Sequence, residues 1–217
     1  MIRRIGLVGL GVVTTLAVMA GGMAWASDTG VAKTLVLTKA DIGSGYTSAA
    51  ATSDDTDDSG KIATCVGKPV PNRTVAAKAD GLEFTNDKTA TFITSGVEIM
   101  KTAAMAVADR AVINDAKAAD CLAQVAKASL ADQGVTTMTA HQVSLKSYGS
   151  FSAAFELQAS VGTGAQAESV TFVEVFIQKG RAEMSVAFVT SGAQPFDQPT
   201  GEAILAKLNA RIKKAKI

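Results

Sequence analysis

The alternation of apolar and polar positions is cleanest between Ser150 and Ser191, and the rest of the chain is read around that stretch. Phe151, Ala153, Phe155, Leu157, Ala159 and Val161 recur at period two, with Ser152, Ala154, Glu156, Gln158 and Ser160 between them, as a half-buried strand requires. After Gly162-Thr163-Gly164 the alternation restarts over Val170 to Ile177, crosses Gln178-Lys179-Gly180-Arg181, and returns through Ala182, Met184, Val186 and Phe188. A glycine between two alternating runs supplies the positive φ of a tight turn. Three consecutive antiparallel strands are therefore predicted.

Elsewhere the period changes. Ala103, Ala104, Val107, Ala111 and Val112 recur at three and four, predicting a helix from Thr102 that Asn114-Asp115 ends. A second helix is predicted over 116–132, with Leu122, Val125 and Leu130 on one stripe and Gly134 at its stop. Val135 to Lys146 reads as a strand, and Leu82 to Thr85 with Thr89 to Met100 as a hairpin turning at Asn86-Asp87. Thr200 and Glu202 open a last helix whose apolar face is Ile204, Leu205, Leu208 and Ile212. Near the start, Lys33 to Leu37 reads as a short strand, Thr38 to Asp41 as the cap of a short helix, and Ala49 to Pro71 as an exposed acidic loop. The summed order is β-α-β-β-α-α-β-β-β-β-α. Strands that follow one another call for an antiparallel β-sheet with helices packed on it, an α+β domain of two or three layers.

Residues 1–26 carry the three parts of a secretory signal: Arg3 and Arg4, the weakly polar to apolar run Ile5 to Ala20, and the small-x-small site Ala24-Trp25-Ala26 before Ser27. An uncleaved anchor is the competing reading, since the uncharged stretch Ile5 to Ala26 is just long enough to span a bilayer, although its five glycines weaken such a helix. Cleavage leaves a single domain over 27–217, its core at about 33–213, and one more acidic than basic side chain. Nothing in that balance suggests nucleic acid, which would require a clustered basic surface, and membrane contact is expected only through the N-terminal segment if it is retained. The two cysteines, Cys65 and Cys121, are expected to pair in an exported chain, tying a loop to a helix. Two buried free thiols are the alternative.

The opening Leu37-Thr38-Lys39-Ala40-Asp41-Ile42-Gly43-Ser44-Gly45-Tyr46, then Cys65, Cys121 in an Ala-rich helix, the strands from Val170 to Phe188 and the closing helix at Leu205 to Arg211 together resemble the PknH-like extracellular sensor domain of actinobacterial secreted proteins and lipoproteins. The resemblance implies an antiparallel sheet with flanking helices and a cleft for an unidentified ligand outside the cell. It carries over Cys65 with Cys121 and the Asp41 to Tyr46 turn, and no binding residue. A kinase, a lipid-attachment cysteine and the second disulfide of the kinase sensor have no counterpart here.

Candidate chemistry is sparse. Asp55 to Gly60 matches the first half of a calcium loop, but Val66 stands where the bidentate Glu belongs, so a solvated acidic loop is the better reading. His141, the one histidine, sits in an alternating run with Thr137, Thr139, Val143 and Leu145, and no Gly-x-Ser-x-Gly or histidine pair accompanies it. Asn72-Arg73-Thr74 fits a glycosylation sequon, a non-specific signal. Met100, Met105, Met138 and Met184 suit an adaptable pocket or a core equally. Tyr46, Tyr148 and Arg181 are the candidates for the edge of a cleft, against a reading as exposed turn residues. The expected protein is a secreted or extracytoplasmic binding module of the cell envelope, sensor-like and non-enzymatic, without cofactor or metal. Its partner is an unknown envelope ligand, or an envelope protein docked on a sheet edge or helix face; a secreted hydrolase using His141 is the remaining alternative.

Overall fold

The computed structural model describes residues 24–51, 58–164, 167–192 and 196–217. The segment before residue 24, which carries the signal-or-anchor alternative, lies outside them. In chain order the elements are α1 (Ala24–Thr34), β1 (Thr47–Ala50), α2 (Asp58–Cys65), β2 (Val75–Asp80), β3 (Leu82–Asn86), β4 (Thr91–Met100), α3 (Ala103–Ile113), α4 (Ala118–Ser129), β5 (Val135–Val143), β6 (Phe151–Val161), β7 (Glu168–Lys179), β8 (Ala182–Ser191) and α5 (Gln198–Lys214).

The meander β6-β7-β8 forms as its alternation requires, paired without a slip from Phe151 opposite Gln178 and from Lys179 opposite Ala182. Gly180 turns the β7-β8 hairpin at φ +57°, the left-handed conformation that side chains other than glycine's resist. β4 pairs with β8, and β5 with β6, so the antiparallel sheet of eight strands runs β1-β3-β4-β8-β7-β6-β5, with β2 beside β4. β2 and β3 share one edge of β4, β3 along its first half and β2 along its second. Gly81 joins them where no side chain fits: a Cβ there would stand 2.4 Å from Ser95 Oγ.

Helices cover both faces, giving three layers. One core joins α1, the 35–37 segment and α5 to the sheet through Leu35, Leu37, Ile93, Ile99, Val175, Val186, Leu205 and Leu208. The other joins α2, α3 and α4 to the opposite face through Ile62, Val112, Leu122, Val125, Phe155, Leu157 and Phe172. Apolar burial on both faces is the main stabilising term. Polar capping fixes the ends. Thr102 Oγ1 accepts from Met105 N at the start of α3, and Asp197 accepts from Thr200 N at the start of α5. Lys179 Nζ donates to the carbonyls of Ile212, Lys213 and Ala215 at the end of α5, where a cation suits the helix dipole.

The N-terminal third departs from the sequence reading. Lys33 to Leu37 is no strand. It leaves α1 as an extended segment whose Leu35, Val36 and Leu37 are buried. Thr38 and Asp41 make the contact of a capping box, Asp41 Oδ2 accepting from Thr38 N and Thr38 Oγ1, but no helix follows: the segment is a turn, with Asp41 also held by Arg211. Ala49 to Pro71 is not an exposed loop throughout: it holds the end of β1 and all of α2, so the bridge joins two helices, not a loop and a helix. Strand β2 has no counterpart in the predicted order, since Val75-Ala76-Ala77-Lys78-Ala79 is too alanine-rich to show a period-two pattern.

Candidate functional site

The face of the sheet turned to α2 and α3 carries two short rows of side chains across four strands. Register sets Glu98 (β4), Glu183 (β8), Gln178 (β7) and Phe151 (β6) side by side in one row. The next row inward is Gly96, Ser185, Phe176 and Ala153. Gly96 and Ser185 are small, so the sheet is hollowed there. Ile62 of α2 and Val112 and Ile113 of α3 lie across the hollow without filling it, leaving a cavity of about 90 Å³. Its walls are mostly apolar, with Phe151, Phe176, Ile62, Val112, Ile113 and Met184 among the lining side chains. Arg110 stacks on Phe151, its guanidinium carbon 5.8 Å from the ring centroid.

One end of the cavity is charged and dry. Arg73, from the segment before β2, is surrounded by three carboxylates: Nη2 bonds Glu98 Oε2, lies 3.3 Å from Glu183 Oε2, and Nη1 lies 3.2 Å from Asp109 Oδ2 of α3. Burial disfavours the guanidinium's charge, but the carboxylates Glu98, Asp109 and Glu183 outweigh it and hold Arg73 above its ordinary value. Burial dominates at the acids. It pushes Glu98 up against the pull of Arg73, and pushes Glu183 up to about 9 with help from the nearby charge of Asp109. Lys78 of β2 stands opposite Glu98 in the ladder and adds a weaker positive field.

Three polar atoms at this end are buried without a hydrogen-bond partner: Arg73 Nε, Glu98 Oε1 and Gln178 Oε1. Glu98 and Gln178 are only 4% and 5% exposed. An unmet buried acceptor costs about 1–3 kcal/mol, so such atoms are retained only where something else is gained.

The α2 wall of the cleft is held to α4 by the Cys65–Cys121 disulfide, which joins the two helices with Cα atoms 5.7 Å apart. Asp58 at the start of α2 bonds Lys61 Nζ and Ser129 Oγ of α4, fastening the other end of the helix. Asp58-Ser59-Gly60, the end of the calcium-loop match, is thus the first turn of α2, and residues 52–57 lie outside the described chain. Among the described residues no three or more His, Cys, Asp or Glu side chains are grouped to hold a metal ion.

The three cleft-edge candidates stand apart from this cavity and from one another. Tyr46 is half-buried beside a second cavity of about 500 Å³, with Phe188, Phe196, Asp197 and Thr200. Tyr148 is buried, its hydroxyl without a partner, beside a third cavity of about 410 Å³ between β5, β6 and the 144–148 segment. Arg181 pairs with Asp28 of α1 at 2.8 Å and bonds the Met100 carbonyl. His141 is exposed on β5, opposite Glu156, and β5 contributes nothing to the charged cavity.

The residues that do meet here were invisible as a set. Glu98, Glu183 and Gln178 occupy positions that read as solvent-facing in strands packed on one side, and Arg73 read as the middle of a sequon. The available signal is that a helix follows β4 and another follows β8, α3 and α5, one for each face of the sheet.

The chain therefore belongs to the class of three-layer α+β domains with an antiparallel sheet and an amphipathic cleft under one helical layer. No family model matches it, and no curated protein does. Among solved structures it is similar to the extracellular domain of PknH from Mycobacterium tuberculosis, at 13% identity and a TM-score of 0.47, over 86% of this chain and 97% of that one. It is also similar to LpqN, involved in cell envelope biogenesis of Mycobacterium tuberculosis, at 12% identity and a TM-score of 0.29, over 80% and 78% of the two chains.

Proposed function

We propose that this protein is an extracytoplasmic, non-enzymatic binding module that takes one end of a small amphiphilic molecule of the cell envelope into the cleft between α3 and the β4-β8-β7-β6 face. The observation that carries this reading is the cavity itself: apolar side walls leading to a buried polar end whose acceptors are unmet. Concave, mostly apolar sites with a few convergent polar groups are what small-molecule recognition calls for. The disulfide supports an oxidising compartment, where such bridges persist. Among the described residues no helix is long and apolar enough to cross a membrane. Catalysis has less support. The titratable groups at the cavity are tied to one another through Arg73, and His141 stands on another strand.

The test is a titration of the oxidised protein with n-octyl β-glucoside below its micelle concentration, followed by amide and methyl NMR. Shifts confined to Ile62, Val97, Val112, Ile113, Phe151 and Phe176 support the reading. Shifts scattered over the surface, or gathered around Tyr46 and Phe196, would move the site elsewhere.

A further inference from the structure

From the chemistry of the buried end, and resting on the cleft reading above, we infer that the group entering it is a hydrogen-bond donor without negative charge, a hydroxyl or an ammonium on an aliphatic stem, and that carboxylate and phosphate heads are rejected. The inventory of atoms decides this. Glu98 Oε1 and Gln178 Oε1 are acceptors, both on side chains at least nine-tenths buried, both lining the cavity and both without a partner. The one unmet donor, Arg73 Nε, belongs to a guanidinium whose two Nη atoms already face three carboxylates. An entering oxyanion would meet the charges of Glu98 and Asp109 at close range, and the cation between them, Arg73, is already committed to both. A donor would satisfy Glu98 and Gln178 together, removing two desolvation costs that the unliganded protein carries.

Charge points the same way. Glu183 holds a proton to about pH 9 because burial and the neighbouring Asp109 oppose its ionisation. The cluster thus takes up positive charge from solvent when no ligand supplies it. Arg110 on α3 and Lys78 on β2 also face this region. Arg110 lies over Phe151, and Lys78, although opposite Glu98 in the ladder, makes no hydrogen bond to Glu98 Oε1.

The experiment compares four probes that share one stem: octylamine, 1-octanol, n-octyl β-glucoside and octanoate, each titrated into the oxidised protein by calorimetry and NMR at pH 7. Octylamine and 1-octanol are expected to bind at least tenfold more tightly than octanoate. Gln178→Leu is expected to weaken the donor-headed probes about tenfold without lowering the urea midpoint, since it deletes an unmet polar atom. His141→Ala is expected to change nothing. Octanoate binding as tightly as octylamine, with shifts still in the cleft, overturns the inference while leaving the cleft reading intact. Loss of that octanoate binding in Arg110→Ala would place the head at the mouth instead. If no probe shifts the cleft resonances, the inference and the cleft reading fall together.

Discussion

Glu98 and Glu183 stand directly opposite each other on adjacent antiparallel strands, and the Arg73 guanidinium bonds to both. Like charges at such a pair destabilise a sheet. Arg73 and a retained proton on Glu183 together make the arrangement tolerable, and both have measurable consequences.

The first is an unusual dependence on pH. Glu183 is raised to about 9 and Glu174, flanked in the ladder by Phe155 and Ala187, is raised by burial to about 8. Between about pH 5 and pH 8 the folded chain keeps two protons that the unfolded chain has released. Stability from these groups is therefore complete below the ordinary carboxylate range and is lost as pH rises toward 9. The urea midpoint is expected to fall steadily from pH 5 to pH 9, and the double variant Glu174→Gln/Glu183→Gln to flatten that slope. A wild-type midpoint that rises over this range would refute the protonated state of both acids.

Removing the central cation is expected to be severe. Arg73→Leu leaves Glu98, Asp109 and Glu183 without their common partner in a buried site, for which loss of about 3–5 kcal/mol is the expectation. Equilibrium urea unfolding gives the number. A cost below about 1 kcal/mol would mean the cluster is open to water.

Gly96 gives a way to close the cleft without harming the fold. A Cβ at this position finds its nearest neighbour, Ser185 Oγ, at an ordinary 3.5 Å, and its φ is not in the left-handed region. Gly96→Leu should project into the cavity, keep or raise the melting temperature, and abolish the octyl-probe shifts. Retained binding in a well-folded Gly96→Leu variant would place the ligand elsewhere.

A second ion pair pins the N-terminal segment. Arg211 of α5 bonds the Thr34 and Val36 carbonyls and both oxygens of Asp41, whose side chain is 4% exposed. Burial pushes the Asp41 carboxyl up, but its bonds to Arg211 and Thr38 prevail and hold it below the ordinary value. Its contribution is present above the ordinary aspartate range and lost in acid, the reverse of Glu183. Arg211→Ala should cost about 3 kcal/mol and free residues 34–42 to exchange amide hydrogens rapidly.

The sheet was legible because β6, β7 and β8 are long enough for period two to stand out, and α3, α4 and α5 because alanine-rich or amphipathic periods of three and four identify helices. The N-terminal third was not. Leu35-Val36-Leu37 has the composition of a strand, but side chains take its backbone groups, Leu37 N donating to Ser95 Oγ and the Val36 carbonyl accepting from Arg211, and the Thr38-Asp41 capping contact forms with no helix after it. The site was hidden for a related reason. Alternation tells which residues share a face and says nothing about what covers that face, so Glu98, Gln178 and Glu183 could not be told from solvent-facing residues until α3 was placed above them.

The bridge between Cys65 and Cys121 has a bearing on timing as well as on stability. Across the 56 positions that separate the cysteines it is worth about 4 kcal/mol in the chain-entropy account. It also fixes α2, and with it Ile62, against the layer that roofs the cleft. A newly made chain with reduced thiols has the sheet floor of the site but not its secured outer wall. On the binding reading proposed above, ligand capture would be coupled to thiol oxidation, the cleft staying unsecured while the thiols are reduced and becoming competent once they have paired.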